Sequence, residues 1–114
     1  MYKRQGGNRG VFTASTTGSN SDTLDYINIS STGDATDWGD LASYGTTEES
    51  SGSSNSVRGV INHDRTGSAS NGANTSTQES IIIASTGNSA NFGNITANGE
   101  NSSHGALSLS LIHI

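Results

Sequence analysis

The stretch Ser31-Thr-Gly-Asp-Ala-Thr-Asp-Trp-Gly-Asp40 decides the fold, because it returns in altered form as Ser85-Thr-Gly-Asn-Ser-Ala-Asn-Phe-Gly-Asn94. A short apolar run precedes each copy, at Leu24–Ile29 and at Ser80–Ile83, and an aliphatic residue follows each one. A repeat unit of about fifty residues usually cannot bury its apolar face alone. We therefore expect the chain to be a slice of an array whose neighbouring units complete one another's core.

Each copy predicts the same local structure. Gly33 and Gly87 stand beside Asp or Asn in a Thr-Gly-Asx sequence, which is typical of a tight turn. The preceding runs are rich in residues that favour strands. Trp38 and Phe92 occupy the same position after the turn, and we expect both to pack between neighbouring units rather than to serve as exposed platforms for sugars.

A second pair of matching segments lies upstream, where Arg9-Gly-Val-Phe12 corresponds to Arg58-Gly-Val-Ile61. A polar loop follows each, at Ala14–Thr23 and at Asn62–Thr77, and the second loop is longer. Length differences of this kind belong on exposed connections. No sustained helical periodicity occurs, so the sequence predicts an all-β fold: a propeller, a sandwich or a solenoid.

Composition narrows the class of protein. Only 29% of the 114 residues are apolar, which leaves disorder as an alternative, but the apolar residues cluster into strand-sized runs. The absence of cysteine excludes disulfides and thiolate metal sites. A formal charge of −5 argues against a nucleic-acid partner, and no apolar run is long enough for a membrane-spanning helix.

The two ends differ from the rest of the chain. One short DNA sequence can encode both ends. One strand gives Leu-Ser-Leu-Ile-His-Ile at 109–114, and its reverse complement, read from a GTG start codon, gives Met-Tyr-Lys-Arg-Gln at 1–5. This DNA sequence matches a transposase end sequence used to prepare sequencing libraries. We expect both ends to be translated adaptor, and the chain to be a metagenomic fragment whose natural part comprises residues 6–108.

The segment from Asn8 to Leu41, with its Arg-Gly-Val-Phe and Leu-Asp-Tyr-Ile-Asn-Ile strands, resembles kelch-like repeats of tail-fibre-like proteins of marine bacteriophages. Val57 to Ile95 resembles them more loosely. The resemblance implies about two four-stranded β-propeller blades, one at 6–56 and a truncated one at 57–108. Propellers close with four to eight blades, so two blades form an incomplete slice.

The resemblance also implies a function. It points to a non-catalytic structural and adhesive repeat module of a phage tail fibre or appendage, located in the virion. Its partners would be a bacterial surface glycan or protein and neighbouring repeats of the same parent chain. A bacterial surface or secreted adhesin repeat is the alternative. A propeller-type glycan hydrolase fragment is less favoured, and Asp25 and Glu79 are the only carboxylates at matching positions that it could use.

Other residues have side chains of the types that bind metal ions or take part in catalysis. Asp34, Asp37 and Asp40 have a spacing that invites a calcium site, but all three are Asn in the second copy. Asn keeps the ability to form turns and loses the charge, so we interpret them as turn residues. His63 beside an Asp does not make a catalytic pair in a chain this rich in polar residues. We predict no catalytic residue, no metal site and no cofactor.

Surface contact is the remaining role for individual side chains. Tyr44 lies in a polar segment and has no counterpart in the second copy, so it is a candidate for an exposed contact. Loop and flanking polar residues complete the set of predicted surface-contact residues. These are Ser19, Asn20, His63, Asn71 and Asn74.

Overall fold

A computed structural model describes residues 8–13, 21–42, 51–63, 65–66, 73–74 and 76–96, and the regular elements within these ranges are all β-strands. They are β1 Arg9–Thr13, β2 Thr23–Asn28, β3 Thr36–Asp40, β4 Ser51–Ser54, β5 Arg58–Asn62, β6 Arg65–Thr66, β7 Ala73–Asn74, β8 Thr77–Ile82 and β9 Ala90–Asn94. The prediction of an all-β fold is therefore confirmed. The described residues contain no helix that is long and apolar enough to cross a membrane.

The strands form two main antiparallel sheets. The first has the order β1-β2-β3 and the second the order β4-β5-β8-β9, while β6 and β7 form a separate two-stranded pair. Strand β4 falls within the range 6–56 predicted for the first repeat, yet it pairs with β5. The second sheet consequently gains a fourth strand that the first sheet lacks among the described residues.

Both sheets have the same register at the matched positions of the two copies. Leu24 pairs with Gly39 across β2 and β3, and Gln78 pairs with Gly93 across β8 and β9. A β-bulge interrupts each pairing at the next residue, before Asp25 in one sheet and before Glu79 in the other. A bulge sharpens the local twist of its strand, so the two sheets bend at corresponding points.

The apolar core lies between the two sheets rather than within either one. The first sheet supplies Leu24 and Trp38, and the chain directly after it supplies Leu41. Ile61 and Ile81 come from β5 and β8 of the second sheet. Burying such a side chain contributes roughly 1.5–3 kcal/mol to folding. Since each sheet provides only part of the cluster, most of this stabilisation depends on their contact.

Candidate functional site

The contact between the sheets is built on the outer edge of β3. The amide of Gly87 donates to the Trp38 carbonyl at 2.8 Å, and the amide of Ser89 donates to the Asp40 carbonyl at 2.9 Å. In the other direction, the Asp40 amide donates to Oδ1 of Asn88 at 3.1 Å. An unpaired strand edge is a template for association, and here the turn that precedes β9 occupies it.

Gly39 permits this approach. Its φ is +141°, and a Cβ at this position would lie 2.7 Å from the carbonyl carbon and oxygen of Gly87. Such contacts are too short for any side chain. The Trp-Gly sequence therefore meets two needs at once, since the aromatic ring enters the core while the glycine lets the second sheet close on the backbone.

A buried carboxylate lies beside this contact. Glu79 is fully buried, and its Oε2 accepts a hydrogen bond from the Ala42 amide at 3.1 Å and another from the Ser89 hydroxyl. The Ala42 amide also donates to Oγ of Ser89 at 2.8 Å. A buried carboxylate is tolerated only when hydrogen bonds replace its hydration. These bonds tie the chain after β3 to β8 of the second sheet.

His63 lies on the other side of the same carboxylate. Its Nε2 is 3.7 Å from Oε1 of Glu79, which is too long for a hydrogen bond and is an ion pair only when the imidazole is protonated. Neither ring nitrogen has a hydrogen-bond partner among the described residues. Nucleophilic catalysis requires histidine to contact the serine hydroxyl, whereas here Glu79 lies between Ser89 and His63. The arrangement links elements of the fold, and Glu79, not His63, contacts the Ser89 hydroxyl.

Arg9 makes a further contact at the junction between the two sheets. Its Nη1 donates to the carbonyl of Ile83 at 3.1 Å, so that β1 of the first sheet holds the end of β8 in the second. The guanidinium lies 5.0 Å from the ring centroid of Tyr26 and 5.4 Å from that of Trp38. These two rings meet edge to face, with centroids 5.4 Å apart. Cation–π and aromatic contacts of this kind fix the guanidinium in place.

An open cleft lies between β1 of the first sheet and β4 of the second. Its volume is about 350 Å³. Val11 and Phe12 line it from the first sheet, and Ile61 and Ile81 line it from the second, with the small polar residues of β4 along its rim. The described residues of its lining include no carboxylate, so this cleft offers apolar contact and backbone edges rather than acid–base groups.

The structure bears on the predicted surface-contact residues in only two places. His63 is 3% exposed, so the prediction that it makes a surface contact is wrong: the ring is packed beside Glu79. Asn74 belongs to the short strand β7. Tyr44, Ser19, Asn20 and Asn71 lie outside the described residues.

The two matched aromatic residues have different environments. Trp38 is 2% exposed, which confirms its predicted place in the core. Phe92 is 48% exposed, so within this chain its ring is not covered by a neighbouring unit. Its ring packs under the guanidinium of Arg58, at 5.7 Å from the centroid. The sequence could not separate the two, because the difference arises from what covers each position and not from the residue type.

The three aspartates of the first copy are exposed. Oδ1 of Asp37 accepts a hydrogen bond from the amide of Gly39 at 3.1 Å, but both residues lie in β3, so this local contact belongs to the strand beside its bulge and not to the predicted turn. Within the described ranges, no group of three or more His, Asp or Glu side chains is arranged to hold a metal ion.

Sequence reasoning missed the role of Glu79 and Ser89. A signal was available, because the second copy replaces Asp25 by the longer Glu79 and Ala35 by the hydroxyl-bearing Ser89. The longer side chain of Glu79 brings its carboxylate to the Ala42 amide, and Ser89 adds a hydroxyl beside it. Comparison with family models, with curated proteins and with solved structures found no match to this chain.

Proposed function

We propose that the chain is a structural and adhesive module of a phage tail fibre or related appendage, which contacts a bacterial surface glycan or protein through its loops. In this proposal the strands are kelch-like scaffold, and neighbouring units of the same kind stack against one another. The module acts outside the bacterial cell as part of the virion, and it does so without catalysis.

One observation carries this proposal. The connection from β1 to β2 spans residues 14–22, and the connection from β5 to β8 spans residues 63–76 and contains the additional pair β6 and β7. Thr13 pairs with Leu24 below the first connection, and Asn62 pairs with Gln78 below the second. Both connections thus leave the scaffold at corresponding corners. Loops that vary on a constant scaffold are where binding residues concentrate.

The alternatives differ in their support. A bacterial surface or secreted adhesin would use the same scaffold and loops, and the genes that flank the coding sequence would separate it from a phage appendage. A glycan hydrolase fragment would rely on Asp25 and Glu79. The carboxylate of Glu79 is fully buried and bonded to Ala42 and Ser89, and this geometry favours a structural role for it.

Binding of the purified chain to a panel of bacterial surface polysaccharides and whole cells tests the proposal. We expect Tyr44→Ala or Asn71→Ala to weaken binding to any hit about tenfold, which corresponds to ~1.4 kcal/mol. The matched control is Val57→Ala, which alters an exposed side chain between strands β4 and β5. A folded chain that binds no bacterial surface, or loop variants that bind as well as the control, would contradict the adhesive role.

A further inference from the structure

Two large apolar side chains are exposed at positions whose counterparts are buried. Ile83, directly after β8, is 7% exposed, whereas Ile29, its counterpart directly after β2, is 65% exposed. On the other side of the junction, Trp38 is 2% exposed and its counterpart Phe92 is 48% exposed. Ile83 and Trp38 are buried where the two sheets meet. Ile29 and Phe92 therefore lie at positions equivalent to those that form the contact between the sheets, but both remain exposed to solvent.

The hydrogen-bonding groups follow the same pattern. Strand β9 is the last strand of its sheet, so its outer edge has no neighbouring strand among the described residues. The corresponding edge of β3 is bonded to the segment 87–89. The counterpart of that segment is 33–35, where the amides of Gly33 and Ala35 make no backbone hydrogen bond to any described residue. One face thus offers a free strand edge, and the other offers a free turn of the kind that binds it.

From these matching faces we infer that the outer edge of β9 binds the segment 29–35 of a second copy of this chain, head to tail. The amides of Gly33 and Ala35 would donate to the carbonyls of Phe92 and Asn94. The Asn94 amide would donate to Oδ1 of Asp34. These bonds repeat, at the matched positions of the other copy of the sequence, those that join the two sheets within the chain.

Side-chain contacts extend the interface. Arg9 donates to the carbonyl of Ile83 across the internal junction. Its counterpart Arg58 is held over the ring of Phe92, from where it would donate to the carbonyl of Ile29 in the second copy. Phe92 and Ile29 would then become buried, as Trp38 and Ile83 are within the chain.

Charge favours this pairing of faces. Within the chain, the acidic strand β3, with Asp37 and Asp40, meets the neutral turn at Asn88. In the proposed interface the acidic turn at Asp34 meets the neutral strand β9, which carries Asn94. A carboxylate thus faces an amide in both cases, and like charges, which would repel across an interface, do not meet at these positions.

The contact uses a different face on each copy. Such heterologous interfaces build open chains when the rotation between copies does not close a ring. Association is therefore expected to grow with protein concentration instead of stopping at a dimer. This inference deepens the proposed scaffold role and rests on it.

Two variants, each altered on one face, provide the test. Asn94→Pro removes the outward amide of β9, and proline is tolerated at such edge positions. Ile29→Lys places a positive charge on the opposite face, where it would be repelled by Arg58 of the other copy, at a side chain that is already exposed in the monomer. If Asn94→Pro fails to fold by circular dichroism, Phe92→Asp replaces it, because Phe92 is half-exposed. Val57→Asp is the control, an exposed apolar position outside the proposed contact.

Sedimentation velocity over a concentration series gives the answer. We expect the wild type and Val57→Asp to grow in mass with concentration, and each interface variant alone to remain at the monomer mass of 11.6 kDa. An equimolar mixture of the two variants should form a species of twice that mass, since each retains the face that the other lacks. A monomeric wild type, or an Ile29→Lys chain that still associates with itself, would overturn the inference. Either result leaves glycan binding by the loops intact, so it does not contradict the proposed function.

Discussion

Replacing Gly39 by alanine should weaken the contact between the sheets far more than the same change at Gly93. The two glycines occupy matched positions and have similar positive φ values, +141° and +147°. An alanine at either position therefore introduces a similar backbone strain, on the order of 1–3 kcal/mol. The surroundings differ: a Cβ on Gly39 would meet Gly87 at 2.7 Å, and a Cβ on Gly93 would meet nothing within 4 Å among the described residues.

The added cost at Gly39 can be worked out from the contacts. Relieving the clash requires the segment 87–89 to move away from β3, which breaks its two backbone hydrogen bonds to Trp38 and Asp40. Each such bond contributes about 0.5–1.5 kcal/mol, and overpacking costs roughly 1–3 kcal/mol. Gly39→Ala should therefore lower the free energy of unfolding by about 2–6 kcal/mol more than Gly93→Ala does.

Urea denaturation followed by tryptophan fluorescence measures this difference, because Trp38 lies in the core and is the single tryptophan of the chain. Sulfate or trimethylamine oxide can raise the baseline stability, so that both variants stay on a measurable transition. Equal losses for the two variants would refute the reasoning, since they would show that the close approach at Gly39 contributes nothing beyond the backbone strain.

Two further predictions use matched positions in the same way. Trp38→Ala should cost about 3–5 kcal/mol of folding free energy, as for other large core residues, while Phe92→Ala should cost below about 1 kcal/mol because its ring is half-exposed. Thermal unfolding followed by circular dichroism compares the two variants. Similar costs would contradict the assignment of Trp38 to the core. Glu79→Ala should cost roughly 2–4 kcal/mol, since it leaves a cavity and removes an acceptor from the Ala42 amide. Asp25→Ala, at the half-buried counterpart, should cost below about 1 kcal/mol, and urea midpoints that shift equally would argue against a special role for Glu79.

Much of the fold follows from local chemistry in the sequence. The strand before each copy, the turn, and the strand that carries the aromatic residue appear as β2 and β3, and again as β8 and β9. These elements depend on strand-forming residues and on turn signals such as the Thr-Gly-Asn sequence at Gly87, whose φ is +141°. Both kinds of signal act over a few residues, which is why they can be recognised without the structure.

The burial of individual side chains was predicted less well from the sequence, because it depends on contacts between distant segments. Trp38 and Phe92 occupy matching positions, but only Trp38 is covered by the second sheet. His63 is polar and lies beside a loop, which suggested exposure, yet it is packed against Glu79 from the neighbouring strand β8. Local pattern sets the strands and turns, whereas burial is set by which surfaces meet.

Hydrogen exchange at four backbone amides tests the central claim most directly, namely that the segment 87–89 is docked on β3 while its counterpart 33–35 makes no such bonds to the described part of the chain. Gly87 and Ser89 donate across the junction, so the account predicts that their amides exchange only when the two sheets separate. Gly33 and Ala35 should exchange at nearly the rate of an unstructured chain in dilute, monomeric protein. Equal protection at all four positions, or none at Gly87 and Ser89, would contradict the account.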